Sequence, residues 1–217
     1  MRYKAFIFDM DGTIVHNMPV HNQAWQDTLA EAGVHIDQDE FNRQTTGKRT
    51  PEIVRLMLGS QLSEAEIAYW GERKETLYRQ RFAGCREPLP GLLEVLELAR
   101  QKALPMAVAS AAPPDNVNFI LDELDLRKYF QVVVNGEEVP RGKPDPEIFL
   151  RAAKSLQTEP CDCLVFEDAL SGIEAARRAG MDAVFLTTTI PADETAGKAH
   201  VISAVPDFAH LDLAALF

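Results

Sequence analysis

The pattern of apolar and polar positions divides the chain into three stretches. A short apolar run, Phe6–Phe8, opens the chain and is typical of a strand buried on both faces. About seventy residues follow with apolar positions at helical spacing and no convincing strand. From Pro88 onward, short apolar runs alternate with helical segments, as in a parallel sheet covered by helices on both faces. The sequence therefore predicts a doubly wound α/β core with an all-α insert after its first strand.

The helical insert and the core can be divided further into elements. Ser63 followed by Glu66 is typical of a capping box at the start of the last insert helix. Leu93 is expected on the buried face of the first core helix. The predicted helices span residues 19–32, 39–44, 51–58, 63–82, 91–101, 114–124, 146–155, 170–179 and 211–216. The predicted strands after the first span residues 106–109, 132–134, 164–166, 183–186 and 200–203.

Length and composition limit the classes of protein that the chain can belong to. Of its 217 residues, 46% are hydrophobic and 25% are charged, which is the composition of a soluble globular protein. The length fits one domain, or one domain with a modest insertion. We expect a core domain from residues 1–15 and 87–217, and a cap domain from residues 16–86. A net charge of −11 argues against nucleic acid or an anionic membrane as a partner. Without a signal-peptide pattern or a membrane-length apolar run, we expect a cytoplasmic protein. A monomer is the default expectation for its oligomeric state.

Polar side chains follow four of the predicted strands at their carboxyl ends, where doubly wound sheets bind ligands. They comprise two carboxylate pairs, one hydroxyl and one ammonium. In chain order they are Asp9 and Asp11, Ser110, Lys143, and Glu167 with Asp168. Four carboxylates in one crevice favour a divalent cation, and oxygen ligands suit Mg²⁺. An ammonium and a hydroxyl could then hold a phosphate, and a carboxylate nucleophile could accept it.

Each of these features alone has a more ordinary interpretation. The first aspartate pair could be a surface Asp-x-Asp-Gly turn, and Glu167 with Asp168 could cap the following helix. Ser110 could be a loop hydroxyl and Lys143 a solvated side chain. Their joint occurrence at successive strand ends favours one site over four unrelated features.

Four short segments together resemble the motifs of the haloacid dehalogenase superfamily, and the resemblance covers nearly the whole chain. They are Asp9-Met10-Asp11-Gly12-Thr13, the strand ending at Ser110, Gly142-Lys143-Pro144-Asp145-Pro146, and Phe166-Glu167-Asp168-Ala169-Leu170-Ser171-Gly172-Ile173. The resemblance implies that Asp9 is the nucleophile and that Asp11 protonates the leaving group and then activates the attacking water or hydroxyl. Ser110 and Lys143 would hold the phosphate, with Lys143 also pairing with Asp9. Because the dehalogenases of the superfamily lack the second aspartate, Asp11 favours phosphoryl transfer.

The resemblance also implies a Mg²⁺ site. Its ligands would be the Asp9 carboxylate, the backbone carbonyl of Asp11 and the Asp168 carboxylate, with Glu167 as a further ligand or just behind them. The expected substrate-binding positions of the core are Gly12 and Ala111.

The insert resembles the cap of the β-phosphoglucomutase subgroup, which controls whether water reaches the phosphoenzyme. His21 lies where that subgroup carries a cap histidine, although it could instead lie on the exposed side of an amphipathic helix. The subgroup's Lys-Gly-x-Ser-Arg grip on a second phosphate is altered here to Thr46-Gly47-Lys48-Arg49-Thr50. Arginine and lysine are not interchangeable in a bidentate grip, so the displaced cations weaken the case for a mutase. The expected substrate-binding positions of the cap are His21, Gly47, Lys48 and Arg49.

An intact core with an altered cap predicts a Mg²⁺-dependent phosphatase that acts on a small phosphorylated metabolite, with a sugar phosphate as the expected substrate. A phosphosugar mutase of the β-phosphoglucomutase type is the alternative. A non-catalytic binding or regulatory relative is the third hypothesis, and the complete set of motifs argues against it.

Overall fold

The computed structural model describes residues 2–45, 48–83 and 87–216. Gly47, one of the expected substrate-binding residues, lies outside the described residues. Within the described ranges, no helix is both long enough and apolar enough to cross a membrane.

Six described strands form a single parallel sheet. They are β1 (Ala5–Phe8), β2 (Met106–Ala109), β3 (Val132–Val134), β4 (Cys163–Glu167), β5 (Asp182–Leu186) and β6 (Val201–Val205). The order across the sheet is β3-β2-β1-β4-β5-β6, and every neighbouring pair is parallel. This is the doubly wound order, in which the direction of winding reverses beside β1 and a crevice opens at the carboxyl ends of β1 and β4. The predicted fold class is confirmed.

The described residues form nine α-helices at the predicted places, with ends that differ by no more than a few residues. They are α1 (Met18–Glu31), α2 (Gln38–Thr45), α3 (Thr50–Leu58), α4 (Glu64–Phe82), α5 (Leu92–Gln101), α6 (Pro114–Glu123), α7 (Glu147–Ser155), α8 (Leu170–Ala179) and α9 (Leu213–Leu216). The capping box before α4 is confirmed, since Ser63 Oγ accepts from the Glu66 N–H at 3.3 Å and the Ser63 N–H donates to Glu66 Oε2 at 2.8 Å. The expected burial of Leu93 is wrong: this side chain is 47% exposed, and Val95 takes the buried position on α5.

The backbone contacts divide the chain into two compact units. The first unit comprises Met1–His16 with Arg86–Phe217, and the second comprises Asn17–Cys85. In the second unit, α1 and α4 pack side by side, and a separate apolar cluster lies among its helices. The described members of that cluster are Trp25, Leu29, Phe41, Ile53, Val54 and Ile67.

The central strands β1 and β2 are buried along their whole length, which explains why they are apolar throughout. On one face Phe8 stacks on Phe166, with ring centroids 4.5 Å apart, and Phe6 meets Phe166 edge to face at 5.3 Å. On the other face Ile7 and Val165 join a second cluster with the helices that cover it. Two apolar layers therefore hold β1 and β4 beside each other, so the residues that directly follow these two strands also lie close together.

Candidate active site

Strand register brings three of the expected site residues to one edge of the sheet. Phe8 pairs with Val108 of β2 and with Phe166 of β4. The Asp9 N–H continues the ladder by donating to the Phe166 carbonyl at 2.9 Å. Asp9 therefore lies level with Glu167, while Ser110 follows the end of the neighbouring strand.

Lys143 links the loop after β3 to the ends of β1 and β4. Its Nζ lies 2.5 Å from Asp9 Oδ1 and 2.7 Å from Glu167 Oε2, and its side chain is only 7% exposed. The ammonium also lies 4.8 Å from the centre of the Phe149 ring. Burial lowers the pKa of Lys143, but the charges of Asp9 and Glu167 outweigh it and raise this pKa above its ordinary value. Lys143 is thus a buried cation between two carboxylates, and its interpretation as a solvated side chain is wrong.

Three buried carboxylates form a cluster that could hold a metal ion. One side-chain oxygen from each of Asp9, Glu167 and Asp168 lies within 4.8 Å of the others. Burial, and secondly the charge of Glu167, raise the pKa of Asp9 well above its usual range, although Lys143 opposes the shift. The same two causes raise the pKa of Asp168 to about 7. Three buried carboxylates beside the single ammonium of Lys143 could be balanced by a divalent cation, which prefers oxygen ligands.

The carboxylate of Asp168 is held by hydroxyl groups from two other strand ends. Thr13 Oγ1 lies 3.4 Å from Asp168 Oδ1, and Thr189 Oγ1 donates to Asp168 Oδ2. Gly12 passes so close that an added Cβ would lie 2.1 Å from Asp168 Oδ2, and its φ of +81° favours glycine in addition. A glycine here lets the turn after β1 approach the carboxylate cluster closely.

Glu167 is seated by backbone N–H groups and by a glycine of α8. Its Oε1 accepts from the N–H groups of Asp168 at 3.3 Å and Ala169 at 3.1 Å, while Oε2 accepts from Lys143. A Cβ on Gly172 would lie 2.0 Å from Glu167 Cδ, so only glycine leaves room for this carboxylate. The residue that caps α8 is Ala169, so the interpretation of Glu167 and Asp168 as its N-cap is wrong.

Ser110 begins a short loop whose backbone is held tightly. The Ser110 N–H donates to the Val134 carbonyl at 3.0 Å, and Ser110 Oγ accepts from the Ala112 N–H at 3.1 Å. Gly136 donates its N–H to the Ala112 carbonyl at 2.9 Å, and a Cβ on Gly136 would meet the Ala111 carbonyl at 2.2 Å. Ser110 is buried, whereas Ala111 is exposed. The expected contacts of both residues with a phosphate stay predictions.

Asp11 and Gly12 form the turn that follows Asp9. Asp11 is partly buried, makes an isolated bridge with Val15, and lies near enough to Asp168 to add to the raised pKa of that carboxyl. The Gly12 N–H donates to the Val15 carbonyl at 2.8 Å, and the Gly12 carbonyl accepts from Thr188 at 2.5 Å. The structure gives Gly12 a role in shaping this turn. Its substrate contact, and metal binding by the Asp11 carbonyl, stay predictions.

His21 belongs to a buried polar cluster within the second unit. Its Nδ1 lies 2.9 Å from Nζ of the buried Lys74, whose ammonium also lies 3.0 Å from both carboxylate oxygens of Glu75. The His21 ring stacks on Tyr78 with centroids 3.8 Å apart, and Asn17 Nδ2 donates to the Tyr78 hydroxyl at 2.6 Å. The alternative of a histidine on an exposed helix face is therefore wrong, while its contact with substrate stays a prediction.

The two displaced cations, Lys48 and Arg49, lie at the start of α3 in the second unit. Lys48 and Arg49 are exposed, and the Arg49 N–H donates to Glu52 Oε2 at 2.8 Å. Thr50, which replaces the arginine of the mutase pattern, places Oγ1 3.5 Å from Glu75 Oε1. Lys48 and Arg49 therefore stay predictions as substrate-binding residues.

The sequence placed Asp9, Lys143 and Glu167 at one edge of the sheet, where they are in contact in the structure, but several residues that support them were missed. Thr13, Thr188 and Thr189 contact the acidic cluster or its turn, and only Thr13 lay within a recognised motif. The signal for the other two was available, because they directly follow a predicted strand and thus lie at the same edge of the sheet. Lys74 and Glu75 had no such signal, since adjacent charges on a long helix usually face solvent.

Comparisons with known proteins give relatives across both units. The model of the haloacid dehalogenase-like hydrolases matches residues 3–180. Fructose-1-phosphate phosphatase YqaB of Escherichia coli (strain K12) is 36% identical over 183 residues, which cover 84% of this chain and 96% of the relative. The phosphorylated carbohydrates phosphatase of Thermotoga maritima is 31% identical over 182 residues, which cover 84% of each chain. The crystal structure of β-phosphoglucomutase from Clostridium difficile superposes with a TM-score of 0.85 at 27% identity, covering 99% of this chain and 95% of that one.

Proposed function

Because the chain belongs to the haloacid dehalogenase-like hydrolases, we propose that it is a Mg²⁺-dependent phosphatase of a small phosphorylated sugar. The observation that carries the proposal is the buried Asp9 carboxylate, which is paired with Lys143 and adjoins Glu167 and Asp168. The first unit is then the catalytic core and the second unit the cap.

The acidic cluster fits a divalent cation by its charge and its donor atoms. Asp9, Glu167 and Asp168 offer three buried carboxylates against the single ammonium of Lys143, and oxygen is the ligand that Mg²⁺ prefers. Asp9 and Asp168 would hold the ion together with the backbone carbonyl of Asp11. When bound, Mg²⁺ would offset negative charge on the phosphate oxygens.

Asp9 would attack the phosphorus of the substrate as the nucleophile. A bond forms between a carboxylate oxygen of Asp9 and phosphorus, and the bond from phosphorus to the sugar oxygen breaks with its electron pair on that oxygen. Asp11 gives its proton to the leaving oxygen, so the sugar departs as a neutral alcohol. Lys143 neutralises Asp9 before the attack, and Ser110 with the N–H groups that follow it would bind the transferring phosphoryl.

Water would then complete the hydrolysis. Asp11, now ionised, accepts a proton from water as the oxygen attacks the phosphorus of the aspartyl-phosphate. The bond between phosphorus and Asp9 breaks, which releases inorganic phosphate and restores both aspartates. A buried environment around Asp9 limits other nucleophiles.

The printed names of the relatives support a sugar phosphate as substrate. One is named for fructose 1-phosphate and another for phosphorylated carbohydrates.

A screen of sugar monophosphates for release of inorganic phosphate, with and without Mg²⁺, tests the proposal directly. We expect Asp9→Asn to lower the release rate by about a thousandfold or more, because the amide cannot act as the nucleophile. Asp212→Asn is a matched control that removes a charge from an exposed aspartate. Unchanged release by Asp9→Asn would refute the assignment.

The second candidate is a phosphosugar mutase, which the similarity to β-phosphoglucomutase and the contact of the partly buried His21 with the buried Lys74 favour. The two functions differ in what accepts the phosphoryl group. Incubation with β-glucose 1-phosphate, Mg²⁺ and a trace of glucose 1,6-bisphosphate separates them. Fast formation of glucose 6-phosphate without free phosphate would establish the mutase and refute the phosphatase.

A further inference from the structure

Three consecutive threonines follow β5 and lead toward the acidic cluster. We name residues 187–189 the threonine loop. Its base is fixed by the sheet, because the Thr187 N–H donates to the Val205 carbonyl at 2.9 Å, in continuation of the pairing between β5 and β6. Since β5 lies beside β4, the loop emerges next to Glu167 and Asp168. The mechanism above uses none of its side chains.

Thr189 determines the orientation of one oxygen of Asp168. Its hydroxyl donates to Asp168 Oδ2, while Thr13 Oγ1 lies 3.4 Å from Oδ1 on the other side. An ionised carboxylate has about four lone-pair sites, so a hydroxyl on each oxygen still leaves sites for a cation. Two donors from different strand ends therefore hold the carboxylate plane without occupying all its lone pairs.

The Thr188 side chain forms a hydrogen bond with the turn made by Asp11 and Gly12. Its hydroxyl donates to the Gly12 carbonyl at 2.5 Å, and the Gly12 N–H donates to the Val15 carbonyl at 2.8 Å. Both polar groups of the Gly12 backbone are thereby bonded. Because Gly12 packs against Asp168 and directly follows Asp11, this bond fixes the turn that carries the general acid.

We propose that Thr189 and Thr188 are positioning residues of the metal centre, acting through Asp168 and Gly12. The inference rests on the proposed function. Hydrogen-bond partners of metal ligands orient them, and their loss typically costs about ten- to a hundredfold in metal affinity or activity. Thr189 sets the affinity for the ion, while Thr188 sets the geometry of the turn from Asp11 to Gly12.

The test compares Mg²⁺ binding among variants of the whole protein by isothermal titration calorimetry. We expect Thr189→Val, which keeps the shape and removes the hydroxyl, to raise the Kd for Mg²⁺ about tenfold. Thr189→Ser retains a hydroxyl donor and should restore the Kd to within about threefold of the unmodified protein. Thr187→Val is the matched control, because the described residues show no partner for its hydroxyl, and its Kd should stay unchanged.

Kinetics provide a second measurement that distinguishes the two threonines. At saturating Mg²⁺, Thr189→Val should recover most of its kcat, because excess ion compensates for weaker binding. Thr188→Val should instead lower kcat about tenfold with little change in KM, because the general acid is displaced while phosphate binding is retained. Thermal midpoints within a few degrees of the unmodified protein will show that each variant is folded.

The outcomes separate this inference from the proposed function. An unchanged Kd in Thr189→Val, in a protein that binds Mg²⁺ and releases phosphate, would overturn the role of Thr189 and leave the phosphatase intact. Equal losses in Thr187→Val and Thr189→Val would overturn it too, since the effect would then belong to the loop as a whole. An unmodified protein that bound no Mg²⁺ and released no phosphate would refute the proposed function and this inference together.

Discussion

Substitution of Gly12 by alanine tests whether the turn after β1 shapes the acidic cluster. The change has two separable effects. Gly12 has a φ of +81°, a conformation that costs a residue with a Cβ roughly 1–2 kcal/mol. The new Cβ would also lie 2.1 Å from Asp168 Oδ2, a distance at which the carboxylate or the turn must move.

Gly180 offers a control with only the first effect. It ends α8 with a φ of +75°, and no atom lies within 4 Å of an added Cβ in the described structure. Gly180→Ala should therefore lower the free energy of unfolding by about 1–2 kcal/mol and leave the Kd for Mg²⁺ unchanged. Gly12→Ala should lose at least as much stability. In addition, its Kd for Mg²⁺ should rise about tenfold or more, because the added methyl group would displace the Asp168 carboxylate.

Urea unfolding and calorimetric Mg²⁺ titration measure the two effects independently. Unfolding should be followed with and without Mg²⁺, because an ion that binds only the folded protein adds stability that increases with the logarithm of its affinity. Gly180→Ala should therefore gain as much stability from Mg²⁺ as the unmodified protein, and Gly12→Ala less. If Gly12→Ala bound Mg²⁺ as tightly as Gly180→Ala, the close packing of this turn on Asp168 would have no functional consequence, and the reasoning would be refuted.

Two further predictions concern parts of the chain away from the acidic cluster. Ser63→Ala removes the side-chain acceptor at the start of α4 and should cost about 1 kcal/mol in urea unfolding, whereas Ser63→Asp, which keeps an acceptor, should cost little; equal losses would contradict the capping role. Burial raises the pKa of the Cys163 thiol to about 12, so in a Cys85→Ala background iodoacetamide at pH 8 should label the exposed Cys161 and spare Cys163. Peptide mass spectrometry measures both sites, urea-unfolded protein serves as the control, and equal labelling in the folded protein would contradict the prediction.

The fold could be predicted because its strands and helices follow strong patterns. β2 is buried along its whole length and apolar throughout, and β3 is a run of three valines, so both strands were located to the residue. The predicted burial of Leu93 was wrong. Adjacent side chains on a helix point about 100° apart, so only one of two adjacent leucines can lie at the centre of a narrow buried face. Val95 lies three positions after Leu92 and completes that buried face. The adjacent pair of Leu92 and Leu93 alone did not show which of the two side chains was buried.

The charged residues of the acidic cluster and the Ser110 hydroxyl were singled out from the sequence, whereas the hydroxyl groups of Thr188 and Thr189 were missed. Asp9 and Glu167 were singled out because charges at the ends of buried strands need a physical reason, and Lys143 was singled out because it lies in the loop after β3. Thr188 and Thr189 follow β5 in the same way, but threonine is common in turns, and its hydroxyl carries no charge that demands a partner. The cluster around Lys74 was missed for a different reason, since its burial depends on how α1 packs against α4, which periodicity does not reveal.

Charge balance connects the separate features of the first unit. Asp9, Glu167 and Asp168 carry three negative charges when ionised, and Lys143 supplies one positive charge. A net charge of minus two in a buried place is costly, so the cluster must take up either protons or a cation. Protons would remove the proposed nucleophile and the proposed metal ligands together, whereas one divalent cation would bring the net charge to zero and keep all three carboxylates ionised. A dianionic phosphate approaching the bare cluster would meet net repulsion. On the proposed function, a bound divalent cation would therefore be a condition for substrate binding as well as for chemistry, and the hydroxyl groups that bond to Asp168 would act on both.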